Sequence, residues 1–287
     1  MEIPFTKMHG LGNNYIYIDL FKFTIAEEQL SGIAQSISDV YTGIGSDGMI
    51  LIQPSDDADV GMRIFNKDGS EGQSCGNGLR CVAKYAYENG IIQREKFQIE
   101  TRANVVEAEV SVKAGLVQEV TINMGEPILR RQAIPMMGED VPQVVAEPFT
   151  VGDEKLDVTA ISMGNPHAVF FVDSIDAAPL YELGPIIEKD QRFPDGVNVE
   201  FIEVISKSEL NFQVWERGSG VTQACGTGAC ASVVAAVLNG SVHRNEDIIV
   251  HLAGGDLVIK WDDNGSVWMT GGANVIATGT YYLADNI

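Results

Sequence analysis

The chain has few basic residues and no long apolar run, and both features exclude classes of partner. Of its 287 residues, 19 are Lys or Arg and 40 are Asp or Glu, so the formal net charge is −21. Binding to nucleic acid or to an anionic membrane surface depends on basic patches, so neither partner is expected. The most apolar stretch, Ala229–Leu238, is too short to cross a bilayer, which takes about 20 residues.

Cysteine and histidine are also scarce, with four residues of each. The histidines lack metal-ligand spacing, and the spacings C-x5-C and C-x4-C are poor for zinc, so no metal site is expected. Met1–Phe5 do not resemble the start of a signal peptide. We therefore expect reduced thiols in the cytoplasm, and a disulfide between Cys75 and Cys225 stays open as the alternative.

The chain repeats itself at an offset of about 150 residues. Cys75 leads the segment CGNGLRC and Cys225 leads CGTGAC. Three preceding pairs of segments align in the same order: Arg63–Ser70 with Gln213–Gly220, Gly48–Ile52 with Asn198–Ile202, and Gly10–Asn13 with Gly164–His167. The repeat predicts two structurally equivalent halves.

A Gly-x-Gly turn and a helix are predicted after each leading cysteine. The helices should run from about Gly78 to Glu88 and from about Gly228 to Leu238, and each ends before an Asn-Gly pair. The second helix is apolar all round, so it should be buried on every side. Most of the other segments are short alternating or β-branched runs typical of strands. We predict an α+β fold of two pseudo-symmetric domains, each a mainly antiparallel β shell around one central helix.

The predicted domain boundary lies near Asn123 to Pro127. The first domain comprises residues 1–122, completed by a C-terminal strand at about 276–287, and the second comprises residues 123–275. The segment from Gln132 to Val151 lacks clear periodicity, so it is predicted to be rich in loops.

Two cysteines at helix starts suit the chemistry of carbon acids. Unsatisfied N–H groups at a helix start can bind a carboxylate and are expected to lower the pKa of a thiol. If the two starts face each other across a cleft, the thiolate of one cysteine could remove an α-proton. The thiol of the other could then supply a proton to the opposite face. This predicts an epimerase or racemase that needs no cofactor.

Simpler interpretations apply to several of these residues. Cys81 and Cys230 lie inside the helices and are expected to be inert packing residues. Glu216 and Arg217 form a charge pair at a strand end, which is ordinarily a solvated salt bridge. The alignment of Glu216 with Asn66 in the repeat favours a functional role for Glu216 as strongly as the position of the pair favours a salt bridge.

Five segments resemble the diaminopimelate epimerase family. They are KMHGLGNNYIYID (7–19), GIGSDGMILI (43–52), RIFNKDGSEGQSCGNGLRC (63–81), SMGNPHAVFFV (162–172) and VWERGSGVTQACGTGAC (214–230). The family interconverts LL- and meso-diaminopimelate without pyridoxal phosphate, for the synthesis of lysine and of cell-wall precursors. The resemblance therefore implies this fold and reaction, a small-molecule substrate and a homodimer.

The resemblance also implies roles for individual residues. Cys75 and Cys225 match the catalytic cysteines, and His167 and Glu216 match residues that tune their pKa values. The implied substrate-binding residues are Asn13, Asn66, Gly76, Asn77, Asn165, Asn198, Glu216, Arg217, Gly226 and Thr227.

The chain departs from the family pattern at a few positions, none of which removes a catalytic group. Gly48 stands where some members have a substrate-binding Gln, and Gly196 stands where many have Arg. These changes leave the shape of the substrate pocket open. A related amino-acid racemase with another side-chain specificity is one alternative. A non-catalytic amino-acid-binding paralogue is another, which the presence of both cysteines disfavours.

Overall fold

A computed structural model describes residues 1–283 of the chain. The predicted α+β class is confirmed, because strands dominate and helices are few. In chain order the elements are β1 (Glu2–Gly10), β2 (Asn13–Asp19), α1 (Leu30–Ser38), β3 (Gly48–Gln53), β4 (Val60–Asn66), α2 (Gly76–Glu88), β5 (Lys96–Glu100), β6 (Val105–Lys113), β7 (Leu116–Asn123), β8 (Val144–Val151), β9 (Glu154–Ser162), β10 (Pro166–Phe171), α3 (Leu180–Ile187), β11 (Asn198–Ser206), β12 (Glu209–Glu216), β13 (Gly220–Val221), α4 (Gly226–Leu238), β14 (Ile248–Leu252), β15 (Gly255–Trp261), β16 (Val267–Gly271) and β17 (Asn274–Tyr282).

The contacts divide the chain into two compact units. Unit 1 comprises Met1–Ile122 and the C-terminal residues from Gly271, and unit 2 comprises Asn123–Thr270. In unit 1, neighbouring strands follow the order β17-β1-β2-β3-β4-β5-β6-β7. The pairs β2–β3 and β4–β5 are parallel, and the other pairs in this order are antiparallel.

Unit 2 repeats this arrangement strand for strand. Its order is β8-β9-β10-β11-β12-β14-β15-β16, in which β10–β11 and β12–β14 are parallel and the other pairs are antiparallel. The C-terminal strand β17 therefore occupies in unit 1 the position that β8 occupies in unit 2. Tyr282 ends this strand, and the last residues of the strand predicted at about 276–287 lie outside the described residues.

The two units agree in register as well as in order. Phe65 pairs with Glu71 just before the first cysteine, and Trp215 pairs with Val221 just before the second. Both residues of the second pair follow those of the first by 150 positions, the same offset that separates Cys75 from Cys225. The repeat in the sequence is therefore a structural repeat.

Each long helix begins one residue after its cysteine. Both α2 and α4 are 13 residues long, and each is followed by a glycine, Gly90 or Gly240, with φ +72°. A residue with a side chain adopts this conformation only with strain, so the glycine ends the helix. The predicted burial of α4 is confirmed, since it is buried continuously from Gly228 to Ala236.

The prediction of one helix per half was incomplete. Each unit has a second, shorter helix, α1 or α3, and these begin at Leu30 and Leu180, again 150 positions apart. The buried residues of α3 include Leu180, Leu183 and Ile187, which follow helical periodicity. The internal Pro185 and the short length obscure this signal in the sequence.

The prediction that residues 132–151 are rich in loops was wrong for the last eight of them. Val144–Val151 form β8, which pairs with β9. The register shifts between Val144 and Glu147, and Ala146 lies between them at φ +46°. This bulge interrupts the alternation of buried and exposed residues on which strand prediction depends.

Each unit has a hydrophobic core beside its short helix. In unit 1 this core includes Ile18, Ile33 and Leu51, and in unit 2 it includes Phe170 and Phe201. Over residues 1–283, no helix is long and apolar enough to cross a membrane.

Candidate active site

Both leading cysteines are the N-caps of their helices. The sulfur of Cys75 accepts a hydrogen bond from the N–H of Gly78 at 3.4 Å. The sulfur of Cys225 accepts the equivalent bond from Gly228, also at 3.4 Å. Each sulfur thus lies at a helix start, where the backbone N–H groups of the first turn stabilise negative charge. Cys75 is half-buried, whereas Cys225 is buried.

The residues around each leading cysteine are called its half-site. In unit 1, Asn13 connects Cys75 to the rest of its half-site. The thiol of Cys75 donates to Oδ1 of Asn13 at 3.6 Å, and the side-chain amide of Asn77 donates to the same oxygen at 3.2 Å. Oδ1 of Asn77 in turn accepts from Arg80 at 2.9 Å. The implied binding residues Asn13 and Asn77 therefore lie beside the sulfur, as does Gly76, the first residue of α2.

Asp47 is part of this half-site, although the sequence analysis did not single it out. Its Oδ2 accepts from the side-chain amide of Asn13 at 2.9 Å and from the backbone N–H of Asn14 at 2.8 Å. These bonds direct Oδ1 of Asn13 toward the donors Cys75 and Asn77. Its position in the motif GIGSDGMILI is the sequence feature that could have identified Asp47 as a site residue.

We expect Asp47→Ala to lower kcat/KM about tenfold, because loss of the residue behind a site group typically costs 10- to 100-fold. Steady-state kinetics would measure this effect. Asp39→Ala is the matched control, since Asp39 makes a similar set of bonds to Tyr41 and Thr42 in an exposed turn. Equal losses in the two variants would contradict the role of Asp47.

Tyr15 is a second residue of this half-site that the sequence analysis did not single out. It is 7% exposed, and its hydroxyl is close enough to Asn13 and Cys75 for both to affect its pKa. Burial, and next Cys75, raise the pKa of Tyr15 well above its ordinary value. The hydroxyl therefore stays protonated and can act as a donor near the sulfur.

The half-site around Cys225 in unit 2 contains two carboxyl groups. Thr227 Oγ1 lies 3.6 Å from the sulfur, and Gly226 is the first residue of α4. The side chain of Glu216 hydrogen-bonds to Thr222 and is close enough to Cys225 for hydrogen bonding to lower its own pKa. Burial outweighs these bonds and raises the pKa of Glu216. Glu200 is the second carboxyl group, and its charge raises the pKa of Cys225.

The predicted lowering of the thiol pKa was wrong for Cys225. Burial, followed by the charges of Glu216 and Glu200, raises the pKa of Cys225 well above its ordinary value. The hydroxyl of Thr227 and the N–H of Gly228 act in the opposite direction, as expected at a helix start. Burial and the two carboxylates outweigh them, so Cys225 is a thiol at neutral pH.

We expect iodoacetamide at neutral pH to alkylate Cys75 before Cys225, because Cys225 is 4% exposed and the reactive form is the thiolate. Alkylation of Cys225 should become appreciable only above the ordinary thiol pKa of about 8.5, since its own pKa is raised. Peptide mapping after timed labelling would test this order. Cys81 and Cys230, both 0% exposed, are internal controls, and faster labelling of Cys225 would refute the prediction.

His167 lies in the same half-site between two acceptor atoms. Its Nδ1 is 2.6 Å from Oε1 of Glu200, and its Nε2 is 3.0 Å from Oδ1 of Asn165. His167 and Glu200 are both fully buried. His167 and Asn165 were predicted from the sequence, whereas Glu200 was not, although it lies in the repeat segment that begins at Asn198.

Three of the implied binding residues form hydrogen bonds away from the sulfurs. Asn198 accepts from the backbone N–H of Arg217 at 2.9 Å, and the guanidinium of Arg217 donates to the carbonyl of Asp195. Arg217 therefore does not form the expected ion pair with Glu216. Asn66 donates to Ser70 at 3.0 Å within its own turn. These contacts place Asn66 and Arg217 at strand ends.

The unusual glycines at 48 and 196 have structural reasons. A Cβ at position 48 would overlap the carbonyl oxygen of Phe65 and lie 3.0 Å from the ring of Tyr15. Gly196 has φ +73°, and a Cβ there would lie 3.0 Å from Cδ of Arg217. Neither a Gln at 48 nor an Arg at 196 fits this backbone without displacement of its neighbours.

Comparisons with known proteins identify the family to which the chain is similar. The family model described as diaminopimelate epimerase matches residues 5–129 and 159–276. A diaminopimelate epimerase of Oceanobacillus iheyensis is 69% identical over 285 residues, which cover 99% of this chain and 100% of that protein. One of Bacillus subtilis is 60% identical over 279 residues and covers 97% of this chain and 98% of that protein.

Solved structures with low sequence identity share the fold. A Bacillus anthracis phenazine biosynthesis protein of the PhzF family superposes with a TM-score of 0.71 at 16% identity and covers 99% of this chain and 100% of that one. A probable proline racemase from Agrobacterium radiobacter gives 0.70 at 14% identity, over 99% and 93% of the two chains. Because the family model matches most of its length and full-length relatives share well over half of its residues, the chain belongs to the diaminopimelate epimerase family.

Proposed function

We propose that this isomerase interconverts LL- and meso-diaminopimelate by moving one α-proton with two cysteines and no cofactor, a step toward lysine and peptidoglycan precursors. The observation that carries the proposal is the duplication of one arrangement, a cysteine N-cap whose sulfur accepts an N–H bond from the first turn of its helix. One such group can remove a proton or supply one. Two of them can do both in a single turnover.

The mechanism requires both sulfurs to reach one α-carbon. The base is a thiolate, which takes the α-proton and becomes a thiol. The acid is a thiol, which delivers its proton to the opposite face and becomes a thiolate. The substrate carboxylate binds at the helix starts Gly76-Asn77 and Gly226-Thr227, whose backbone N–H groups also stabilise the charge of the carbanion. The two cysteines exchange roles in the reverse reaction.

The surroundings of the cysteines favour one assignment for the substrate-free enzyme. Cys225 is buried beside Glu216 and Glu200, and its pKa is raised, so it starts as the acid. Cys75 is less buried, and the N–H of Gly78 donates to its sulfur, which stabilises the thiolate once the proton that it donates to Asn13 is lost. We therefore assign Cys75 as the first base. His167 and Glu216 set the protonation of Cys225.

Recognition of the rest of the substrate is assigned to polar side chains near the strand ends. Asn13, Asn66, Asn165 and Asn198 supply amide groups, and Arg217, whose guanidinium already lies at a strand end, supplies a cation for the distal carboxylate. Glu216 is assigned to bind an ammonium group. The two matching units are proposed as the two domains, and the protein as a cytoplasmic homodimer.

Incubation with LL-diaminopimelate in deuterated water tests the activity. Nuclear magnetic resonance should show meso-diaminopimelate forming with one deuterium at the inverted α-carbon. The activity should survive dialysis against a chelator and treatment with hydroxylamine. Restoration of a lost activity by pyridoxal phosphate or a metal would overturn the two-thiol mechanism. Faster inversion of a different amino acid would favour a related racemase.

A further inference from the structure

We propose that Glu200 is a positioning residue of the Cys225 half-site, whose carboxylate holds His167 as an imidazolium cation. The inference rests on the proposed function and adds to it a residue to which the family resemblance assigned no role. The surrounding strands determine the placement. His167 is on β10 and Glu200 is on β11, and in the parallel register Glu200 is opposite Val169. Since alternate residues share a face, His167 and Glu200 lie on the same face of these strands.

The charge of His167 follows from the atoms around its ring. Oε1 of Glu200 lies 2.6 Å from Nδ1, and Oδ1 of Asn165 lies 3.0 Å from Nε2. A carboxylate oxygen and an amide oxygen are both acceptors, but a neutral imidazole has only one N–H to donate, so a neutral ring would require Glu200 to be protonated and to donate to Nδ1. An imidazolium donates at both nitrogens, so the doubly protonated ring satisfies both contacts.

The imidazolium of His167 and the carboxylate of Glu200 stabilise each other. Both side chains are fully buried, and a buried charge without a partner is strongly unfavourable. Among residues 1–283, no group donates a hydrogen bond to Oε2 of Glu200. The carboxylate is therefore stabilised by the bond from His167 to Oε1. Burial raises the pKa of Glu200, and the adjacent His167 opposes that shift.

Glu200 also lies against the first turn of the helix that begins at Cys225. A Cβ built on Gly228 would be 2.8 Å from Oε1 of Glu200 and 3.1 Å from the sulfur of Cys225. The charge of Glu200 raises the pKa of both Cys225 and Glu216, and that of His167 lowers the pKa of Glu216. Loss of the Glu200 carboxylate would therefore change the charges around the proposed acid.

Nitrogen-15 NMR of the full-length protein tests the charge of His167 directly. With His167→Asn to assign its signals among the four histidines, the wild-type ring should show two protonated nitrogens at neutral pH. In Glu200→Gln the ring should become neutral at the same pH. A neutral ring in the wild type would overturn the proposal, whether or not the variant folds.

Kinetics test whether Glu200 acts through His167. Glu200→Gln should lower kcat/KM roughly 10- to 100-fold, mainly through kcat, while Glu203→Gln on the same strand should stay within about twofold. In a His167→Asn background, Glu200→Gln should add little further loss. Equal losses in both backgrounds would mean a merely structural role and would overturn the proposal. A wild type without epimerase activity would instead count against the proposed function, and the NMR result would still stand.

Discussion

Replacement of either leading cysteine by serine should abolish epimerisation. We expect Cys75→Ser and Cys225→Ser each to lower kcat/KM by at least roughly 10³-fold, within the range that general acid–base groups contribute. A hydroxyl is far less acidic than a thiol, so neither variant can complete both proton transfers at neutral pH. Each retains one functional thiol and could still exchange an α-proton. The two variants should then differ in which stereoisomer they exchange.

The measurement combines epimerisation with α-proton exchange in deuterated water, using LL- and meso-diaminopimelate separately. Cys81→Ala and Cys230→Ala are the controls, because both residues are fully buried within their helices. Burial raises the pKa of Cys81 to about 11, so it is a thiol at neutral pH. Near wild-type epimerisation in either serine variant would show that its cysteine is neither acid nor base.

Gly228→Ala should strongly lower the activity that depends on Cys225. The new methyl would lie 2.8 Å from a carboxylate oxygen of Glu200, 3.1 Å from the sulfur of Cys225 and 3.1 Å from the ring of Phe212. The backbone fixes the cysteine N-cap, so the sulfur and the carboxylate must move apart. A displacement of about 1 Å at a reacting group can cost 10²-fold, and we expect a loss of kcat/KM of at least that size.

The equivalent glycine of unit 1, Gly78, provides the matched comparison with Gly228. At Gly78 a new methyl would meet the flexible ends of Ile50 and Met62, whereas the Cβ of Cys75 is 3.5 Å away. These ends can rotate aside, so Gly78→Ala should lose less activity than Gly228→Ala while costing similar stability. Kinetics and thermal unfolding of both variants would separate the two effects. An equal or larger loss in Gly78→Ala would contradict the steric argument.

Local patterns in the sequence were sufficient for much of this protein. The α+β class followed from many short strand-like runs, and the two central helices followed from a glycine turn after each cysteine and an Asn-Gly stop. The repeat aligned Cys75 with Cys225 at the same offset that relates the helix starts Leu30 and Leu180. These signals are readable because each depends on neighbours within a few positions, or on the same few positions occurring twice.

Two misses also have local causes. The strand Val144–Val151 contains a bulge at Ala146, so its pattern does not alternate. The short helix beginning at Leu180 contains Pro185, which ordinarily argues against a helix. The pairing of β8 with the adjacent strand β9 and the packing of α3 into the core of unit 2 override these local preferences.

The electrostatics of the site were decided by the tertiary structure alone. Glu200 and His167 are 33 positions apart, and only the parallel pairing of their strands brings a carboxylate to the imidazole. Asp47 reaches Asn13 across 34 positions. The helix start predicted a lowered pKa for Cys225, but burial and two carboxylates raise it. The sequence was thus enough to propose which groups react, whereas their protonation depends on burial and on charges that only folding brings together.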